Sequence, residues 1–164
     1  MRIMGIDPGT NITGIGIIEL NARMEPEVCY YGCVRTKRNA SLPQRLHQIY
    51  QGLSEAISQY KPDAVALEDI FYSDNIRTAI VMGEARGVSL LAAVNQGVQP
   101  AEYSPREVKL AVVGRGNASK DQVQYMVRQI LRIREDIKPA DAADALAIAL
   151  CHYNHVQHEI RMSK

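Results

Sequence analysis

The spacing of apolar residues predicts β-strands in the first part of the chain. Three stretches carry the dense or alternating apolar positions that strands show, namely Arg2 to Ile6, Thr13 to Glu19 and Val28 to Thr36. Short connections separate them, and such connections join antiparallel neighbours. We therefore expect a three-stranded antiparallel unit, with a turn at Asp7 to Asn11 after the first strand.

After Ser41 the apolar positions recur with the period of a helix. Ser41 and Gln44 have the spacing of a capping box, and Pro62 ends the helical pattern. The run from Asp63 to Glu68 then predicts a short buried strand, which we expect beside the first strand. The remaining predicted elements are a helix from about Ile76 to Asn95, a strand from Pro100 to Tyr103, helices that begin after Ser104 and Ser119, and a last helix from about Ala140 to His158.

This order of elements predicts an α/β fold with a mixed five-stranded sheet flanked by helices. Gly14 and Gly16 fall on one face of the second strand and leave that face without side chains. A bare face suits either the close approach of a ligand or backbone, or a thin strand beneath a packed helix. The sequence favours neither arrangement.

Four acidic residues fall where this fold could gather them at one point. Asp7 closes the first apolar run, Glu68 closes the fourth strand, and Asp141 and Asp144 share one helical face. Ligands of open α/β sheets bind at the carboxyl ends of strands, and the last helix can pack across the sheet to that edge. Each acid alone has an ordinary explanation as a turn residue, a strand terminus or part of a helix N-terminal turn. Together they predict one site.

Such a site is suited to divalent cations. Four carboxylates carry a charge of about −4 and resist joint ionisation unless cations intervene. Hard oxygen ligands favour Mg²⁺ or Mn²⁺ over zinc, because the set contains neither His nor Cys. Two such ions about 3.5 to 4 Å apart suit in-line displacement at phosphorus. We therefore expect two Mg²⁺ ions in each subunit, with Mn²⁺ able to substitute, and hydrolysis of phosphodiester bonds.

Composition is that of an ordinary globular protein, and we expect a single domain over residues 1–164. Hydrophobic residues make up 46% of the 164 residues and charged residues 23%, which argues against extended disorder. No apolar stretch approaches the length of a membrane span, and the N-terminal run stops at Asp7. We expect no membrane association and a cytoplasmic location.

Cysteine and histidine placement offers little alternative chemistry. Cys29 and Cys33 lie about 13 Å apart in an extended strand, too far for a disulfide, and we expect free thiols. Cys151, His155 and His158 share one helical face, where they could hold a soft metal ion. An ordinary amphipathic stripe has the same spacing and is the commoner arrangement.

The net charge of +1 produces no overall positive field that would indicate a nucleic-acid partner. Any such partner must be held by local basic patches, each of which could also be an ordinary solvated surface. The candidates are Arg35, Lys37 and Arg38 after the third strand, Arg106 and Lys109 on a short helix, and Arg115 and Lys120 beside the glycine-rich loop Val113 to Ala118.

Four separated blocks resemble the RuvC Holliday junction resolvases, in the order that family has them. They are Ile3 to Gly9, Ala66 to Phe71, Gly83 to Gly87 and Ala140 to Ala147. The resemblance implies a ribonuclease H-like fold, a homodimer, and Mg²⁺-dependent nicking of two opposed strands of a four-way DNA junction. It further implies ligatable 5′-phosphate nicks, and RuvA and RuvB, the branch-migration proteins, as partners.

The resemblance also implies roles for single residues. The family's metal-binding catalytic positions fall on Asp7, Glu68, Asp141 and Asp144. Its basic positions near the scissile phosphate fall on Lys109 and Lys120. Phe71, the only phenylalanine, is expected to stack on an unpaired base, with a core aromatic as the alternative. Arg77, Arg106 and Arg115 complete the expected DNA contacts. Asp74 stands where relatives often have lysine, which puts one backbone contact in doubt.

Symmetric cutting of two strands requires two copies of a chain that has one carboxylate set. Gly83 and Gly87 lie on one predicted helix, where small residues let another helix approach closely. In the family this helix lies at the dimer interface. A close contact with the protein's own sheet is the alternative.

Three rival functions stay open. A ribonuclease H-like nuclease acting on structured RNA would share Asp7 and the late aspartates, although the Glu68 to Phe71 block favours the junction enzyme. The turn Asp7 to Thr10 also resembles the phosphate loop of actin-like and sugar-kinase ATPases, which need a second, duplicated domain. A non-catalytic junction-binding scaffold predicts that Asp7→Asn changes no activity.

Overall fold

The computed structural model describes residues 1–69 and 75–163, in which the predicted elements occur in the predicted order. Their bounds are β1 Arg2–Asp7, β2 Ile12–Leu20, β3 Pro26–Arg35, α1 Leu42–Tyr60, β4 Ala64–Glu68, α2 Ile76–Asn95, β5 Pro100–Tyr103, α3 Pro105–Val113, α4 Lys120–Ile130 and α5 Ala140–Met162. The predicted end of the last helix at His158 is wrong, because α5 continues to Met162. Phe71 and Asp74 lie outside the described residues.

The sheet has the strand order β3-β2-β1-β4-β5. β1, β2 and β3 are antiparallel neighbours, whereas β4 joins β1, and β5 joins β4, in parallel. This confirms the mixed five-stranded sheet and the predicted pairing of the first strand with the fourth. Because Ile6 pairs with Leu67, the last residues of these two parallel strands, Asp7 and Glu68, lie side by side at the carboxyl ends of β1 and β4.

Helices cover both faces of the sheet, as expected for central strands that are apolar on both sides. α1 and α2 pack on the face that carries Met4, Ile6 and Leu67. α3, α4 and α5 cover the opposite face, which carries Ile3 and Ile18. Over the described residues, none of these helices is both long and apolar enough to span a bilayer.

α5 lies directly on a part of the sheet that has no side chains. A Cβ atom added to Gly5 would lie 2.0 Å from the carbonyl oxygen of Ala145, and one added to Gly14 would lie 2.0 Å from that of Asp141. At Gly16 the added atom would lie 2.5 Å from the backbone of α5. The bare face of β2 is therefore a helix-packing surface, and glycine is required there because α5 occupies the space of a side chain.

The helices that carry the two candidate lysines begin at capping boxes, as predicted. Before α3, the Ser104 amide donates to Glu107 Oε2 at 2.7 Å, and the Glu107 amide donates to Ser104 Oγ at 3.2 Å. Before α4, Ser119 and Gln122 make the same reciprocal pair at 2.9 and 3.2 Å. These caps satisfy amide groups that the first helical turn leaves unpaired and fix where each helix starts.

Candidate active site

The four predicted acids line one cavity at the carboxyl ends of the central strands β1 and β4. The cavity has a volume of about 340 Å³. Its charged lining residues are Asp7, Glu68, Lys109, Lys120, Asp141 and Asp144. The structure therefore brings together the whole acid set and two of the predicted basic residues.

Each acid projects from an element whose backbone is fixed. Asp7 is the last residue of β1 and pairs with Gly14, and Glu68 is the last residue of β4. Asp141 lies in the first turn of α5, directly over Gly14, and Asp144 follows one turn later. The close contact between α5 and the glycine face thus sets how near the two helical acids come to the strand acids.

The carboxylates repel one another in this cavity. Burial, followed by the charges of Asp144, Glu68 and Asp141, raises the pKa of Asp7 to about 8. Lys120 opposes this rise only in part. Burial and the charge of Asp144 also raise the pKa of Glu68, against the opposing effect of the two lysines. The site therefore has more negative charge than its own cations balance.

Lys120 makes an ion pair with one of the four acids, Asp144. Its Nζ donates to Asp144 Oδ2 at 3.2 Å, and the charge of Asp144 together with this hydrogen bond raises the pKa of Lys120. The Asp144 side chain is only 21% exposed, whereas that of Lys120 is largely exposed. A pair with one exposed partner adds little to stability, so its value lies in partly neutralising the cavity.

The buried charge predicts a pH-dependent stability in chelator-treated protein. The folded state keeps the Asp7 proton up to about pH 8, while an ordinary aspartate loses it near 3.8. The free energy of unfolding should therefore fall as pH rises from about 3.8 to about 8, and Asp7 should cause no further fall above about pH 8. Asp7→Asn removes this penalty, and its Tm should exceed that of wild type clearly at about pH 8.5 and only slightly at about pH 4. Thermal melts in EDTA measure both differences, and equal differences at the two pH values would contradict the assignment.

The donor set fits hard divalent cations. All four acids offer carboxylate oxygens, and their combined charge exceeds what the two lysines supply. In the part of the chain that the structure describes, no three His, Cys, Asp or Glu side chains are close enough to hold one ion as they stand. Binding therefore requires the carboxylates to draw together by side-chain rotation, which attraction to a central cation favours.

Comparison with known proteins identifies the family. The sequence profile described as crossover junction endodeoxyribonuclease RuvC matches residues 3–152. The chain belongs to the RuvC family. The crossover junction endodeoxyribonuclease RuvC of Desulforamulus reducens is 49% identical over 153 residues, which are 93% of each chain.

Solved RuvC structures share the fold over nearly the whole chain. The Thermus thermophilus RuvC structure has a TM-score of 0.87 and 34% identity, with 97% of each chain covered. The structure of T. thermophilus RuvC in complex with a Holliday junction substrate has a TM-score of 0.87 and 32% identity over 96% of each chain. The predicted ribonuclease H-like fold is confirmed.

In this RuvC-family chain the other predicted DNA contacts among the described residues do not line the acid cavity. Arg77, at the start of α2, lines a second cavity of about 550 Å³, which adjoins the acid cavity at Asp141. Arg106 and Arg115 are exposed and are not among the residues that line either cavity. Lys109 and Lys120 are thus the predicted basic residues that line the acid cavity. Phe71, the predicted stacking residue, is in the undescribed segment.

The residues of the soft-metal alternative do not converge in the RuvC-family chain. Cys151 is buried, and burial raises its pKa to about 12, whereas His155 and His158 are exposed. Within residues 1–69 and 75–163 they form no metal-binding group. The placement supports the amphipathic stripe. Cys29 and Cys33 are free, as predicted.

The sequence did not predict an ion-pair cluster next to the end of β4, the strand that carries Glu68. Arg86 of α2 contacts both Asp69 and Glu102. The sequence shows Arg86 as a single arginine within the block Gly83 to Gly87. Residue spacing does not predict which acids it contacts. This cluster joins α2 to the end of β4.

Proposed function

We propose that this chain is a structure-specific endonuclease that resolves four-way (Holliday) DNA junctions in recombination and repair. It hydrolyses phosphodiester bonds in two opposed strands symmetrically and leaves ligatable 5′-phosphate nicks. The observation that carries the proposal is the convergence of four carboxylates and two lysines in one cavity at the sheet edge. The T. thermophilus relative in complex with a Holliday junction substrate supports the choice of substrate.

The acid set provides the binding groups for a metal-dependent mechanism. The residues that would hold the cations are Asp7, Glu68, Asp141 and Asp144. When bound, two Mg²⁺ ions, or Mn²⁺ in their place, supply an activated water and charge stabilisation at the leaving oxygen. Lys109 and Lys120 offer ammonium groups to the oxygens of the scissile phosphate. Lys120 also counters part of the rise in the pKa of Asp7, which makes loss of the Asp7 proton easier when a cation binds.

Lys120→Met should slow cleavage more than it weakens binding. The variant loses the ammonium group that contacts Asp144 and lies beside the reacting phosphate, while most phosphate contacts along the junction arms remain. We expect single-turnover cleavage to fall about 10²-fold and the Kd for the junction to change less than about threefold. Arg23→Met, which removes an exposed charge in the turn between β2 and β3, is the matched control. Equal losses in binding and cleavage would contradict a role at the reacting phosphate.

A substrate comparison tests the proposed activity directly. Purified protein is incubated with a mobile four-way junction, a linear duplex of the same sequence and a structured RNA, each with and without Mg²⁺. The proposal expects symmetric nicks in the junction only, and only with Mg²⁺. Preferential cutting of the RNA would establish the rival RNA nuclease, and metal-independent junction binding without cutting would establish the scaffold.

The exposed face of α2 supports a homodimer. A Cβ atom added to Gly83 or Gly87 would meet no described atom within 4 Å, so these glycines do not serve a close contact with the described part of the protein's own sheet. α2 also carries large exposed apolar residues on both sides of these glycines along the helix, namely Ile76, Ile80, Leu91 and Val94. An apolar stripe with small residues at its centre suits a second copy related by a twofold axis.

Ile80→Asp should therefore convert the dimer into a monomer. The side chain of Ile80 lies on the apolar stripe, and its residue is 58% exposed in the single chain. A charge there would be buried against the partner, at a cost that a moderate interface does not offset. Sedimentation velocity measures the mass, and Leu110→Asp on α3, where the residue is 56% exposed, is the control. A dimeric Ile80→Asp variant would place the interface elsewhere.

The remaining parts of the proposal concern the setting of the enzyme. The chain acts as one ribonuclease H-like domain in the cytoplasm, on junctions that RuvA and RuvB process. The family membership supports these partners, and pull-down of purified RuvA and RuvB on junction DNA tests them. Loss of association in the absence of the junction would show that DNA mediates the contact.

A further inference from the structure

Arg86 is a charged residue of α2 that turns toward the sheet. Its side chain is 24% exposed, and Nη2 lies 3.1 Å from Asp69 Oδ1. The same nitrogen contacts Glu102 Oε2 on the edge strand β5. Nε of Arg86 is buried and has no hydrogen-bond partner among the described residues. The guanidinium therefore interacts mainly through the two carboxylates at the end of the sheet.

Asp69 directly follows Glu68 and is held from two sides. Its amide donates to the carbonyl oxygen of Tyr103 at 2.7 Å, which extends the pairing of β4 with β5 by one residue. Its side chain is held by Arg86 from α2. Glu68 thus precedes a residue whose backbone is fixed by β5 and whose side chain is fixed by a helix.

We propose that Arg86 is a positioning residue that fixes the backbone of Glu68 through Asp69. The inference rests on the proposed function, in which Glu68 is a cation ligand. Ligand groups need supporting contacts of this kind, because misplacement by about 1 Å costs about 10²-fold in rate.

Amide exchange of Asp69 in the metal-free, DNA-free dimer tests the proposal without reference to activity. In Arg86→Met the Asp69 amide should exchange at least about tenfold faster than in wild type, while the amide of Leu67 is unchanged, because only the end of β4 is released. Arg86→Lys should restore part of the protection. Glu102→Gln removes the other ion pair and should leave Asp69 protected. Arg2→Met, which breaks the Glu19 ion pair at the opposite end of β1, is the control.

Junction cleavage gives the second readout. Arg86→Met should slow single-turnover cleavage about 10- to 100-fold at saturating junction and raise the Mg²⁺ concentration needed for half-maximal rate, with the dimer mass and junction Kd retained. Unchanged Asp69 exchange, or faster exchange along the whole of β4, would overturn the proposal. So would a cleavage loss that only follows loss of the dimer. If wild type cuts no junction, the proposed function fails, and the exchange pattern still decides whether Arg86 holds Asp69.

Discussion

Asp7→Asn should reduce junction cleavage by about 10³-fold or more, which is about 4 kcal/mol of activation free energy. Asp7 lies at the centre of the acid set, and the other three acids all act on its pKa. Asparagine has nearly the same shape but supplies one neutral oxygen, so the site loses a charged cation ligand without losing its packing. Single-turnover cleavage of a mobile junction with Mg²⁺ measures the effect.

Binding of the junction by the same variant should be retained, and it should improve above about pH 8, where wild-type Asp7 is charged and the substitution removes a negative charge near the phosphates. A gel-shift titration in the absence of Mg²⁺ measures the Kd. Asp63→Asn is the matched control, since Asp63 accepts a hydrogen bond from the Arg2 amide at the opposite end of the sheet. Full cleavage by Asp7→Asn would exclude the four acids as the catalytic set.

Gly5→Ala should destabilise the protein by about 3 kcal/mol or more, and it should prevent folding if the native state is no more stable than that. The added methyl carbon would lie 2.0 Å from the Ala145 carbonyl oxygen and 2.7 Å from the Ala149 nitrogen. Both are backbone atoms of α5, so relief requires the whole helix to move away from the sheet. Urea unfolding followed by circular dichroism measures the change.

Gly32→Ala is the control for this prediction, because it also adds one methyl group to a strand. Its nearest atom would be the hydroxyl oxygen of Tyr30 at 2.4 Å, which is the end of a side chain that can rotate. We expect a loss below about 1 kcal/mol there. Similar losses in the two variants would show that glycine in a strand, rather than the approach of α5, determines the effect.

The element order could be predicted from sequence because its signals are local. Strand periodicity, capping boxes at Ser104 and Ser119 and the placement of Pro62 need no tertiary information. The end of α5 was missed because the apolar pattern fades near His158. An exposed helical end is held by its own backbone hydrogen bonds and needs no apolar stripe to continue.

The convergence of the acids was also predictable, since strand ends and helical spacing place the side chains before any contact is known. Other features depend on long-range packing. The bare face at Gly14 allowed either a ligand or a helix, and only the position of α5 distinguishes them. The ion-pair partners of Lys120 and Arg86 depend on side-chain rotamers, which the hydrophobic periodicity of the sequence does not determine.

The dependence of the site on α5 also bears on when the enzyme can act. Asp141 and Asp144 belong to α5, the helix that fills much of one core layer. They lie far along the chain from Asp7. A molecule in which α5 has not docked presents two of the four acids and leaves the glycine face open to water. If the four acids are the catalytic set, as proposed, a chain whose α5 is undocked or removed should not nick DNA, so this kind of damage ends in an inert product rather than an unregulated nuclease.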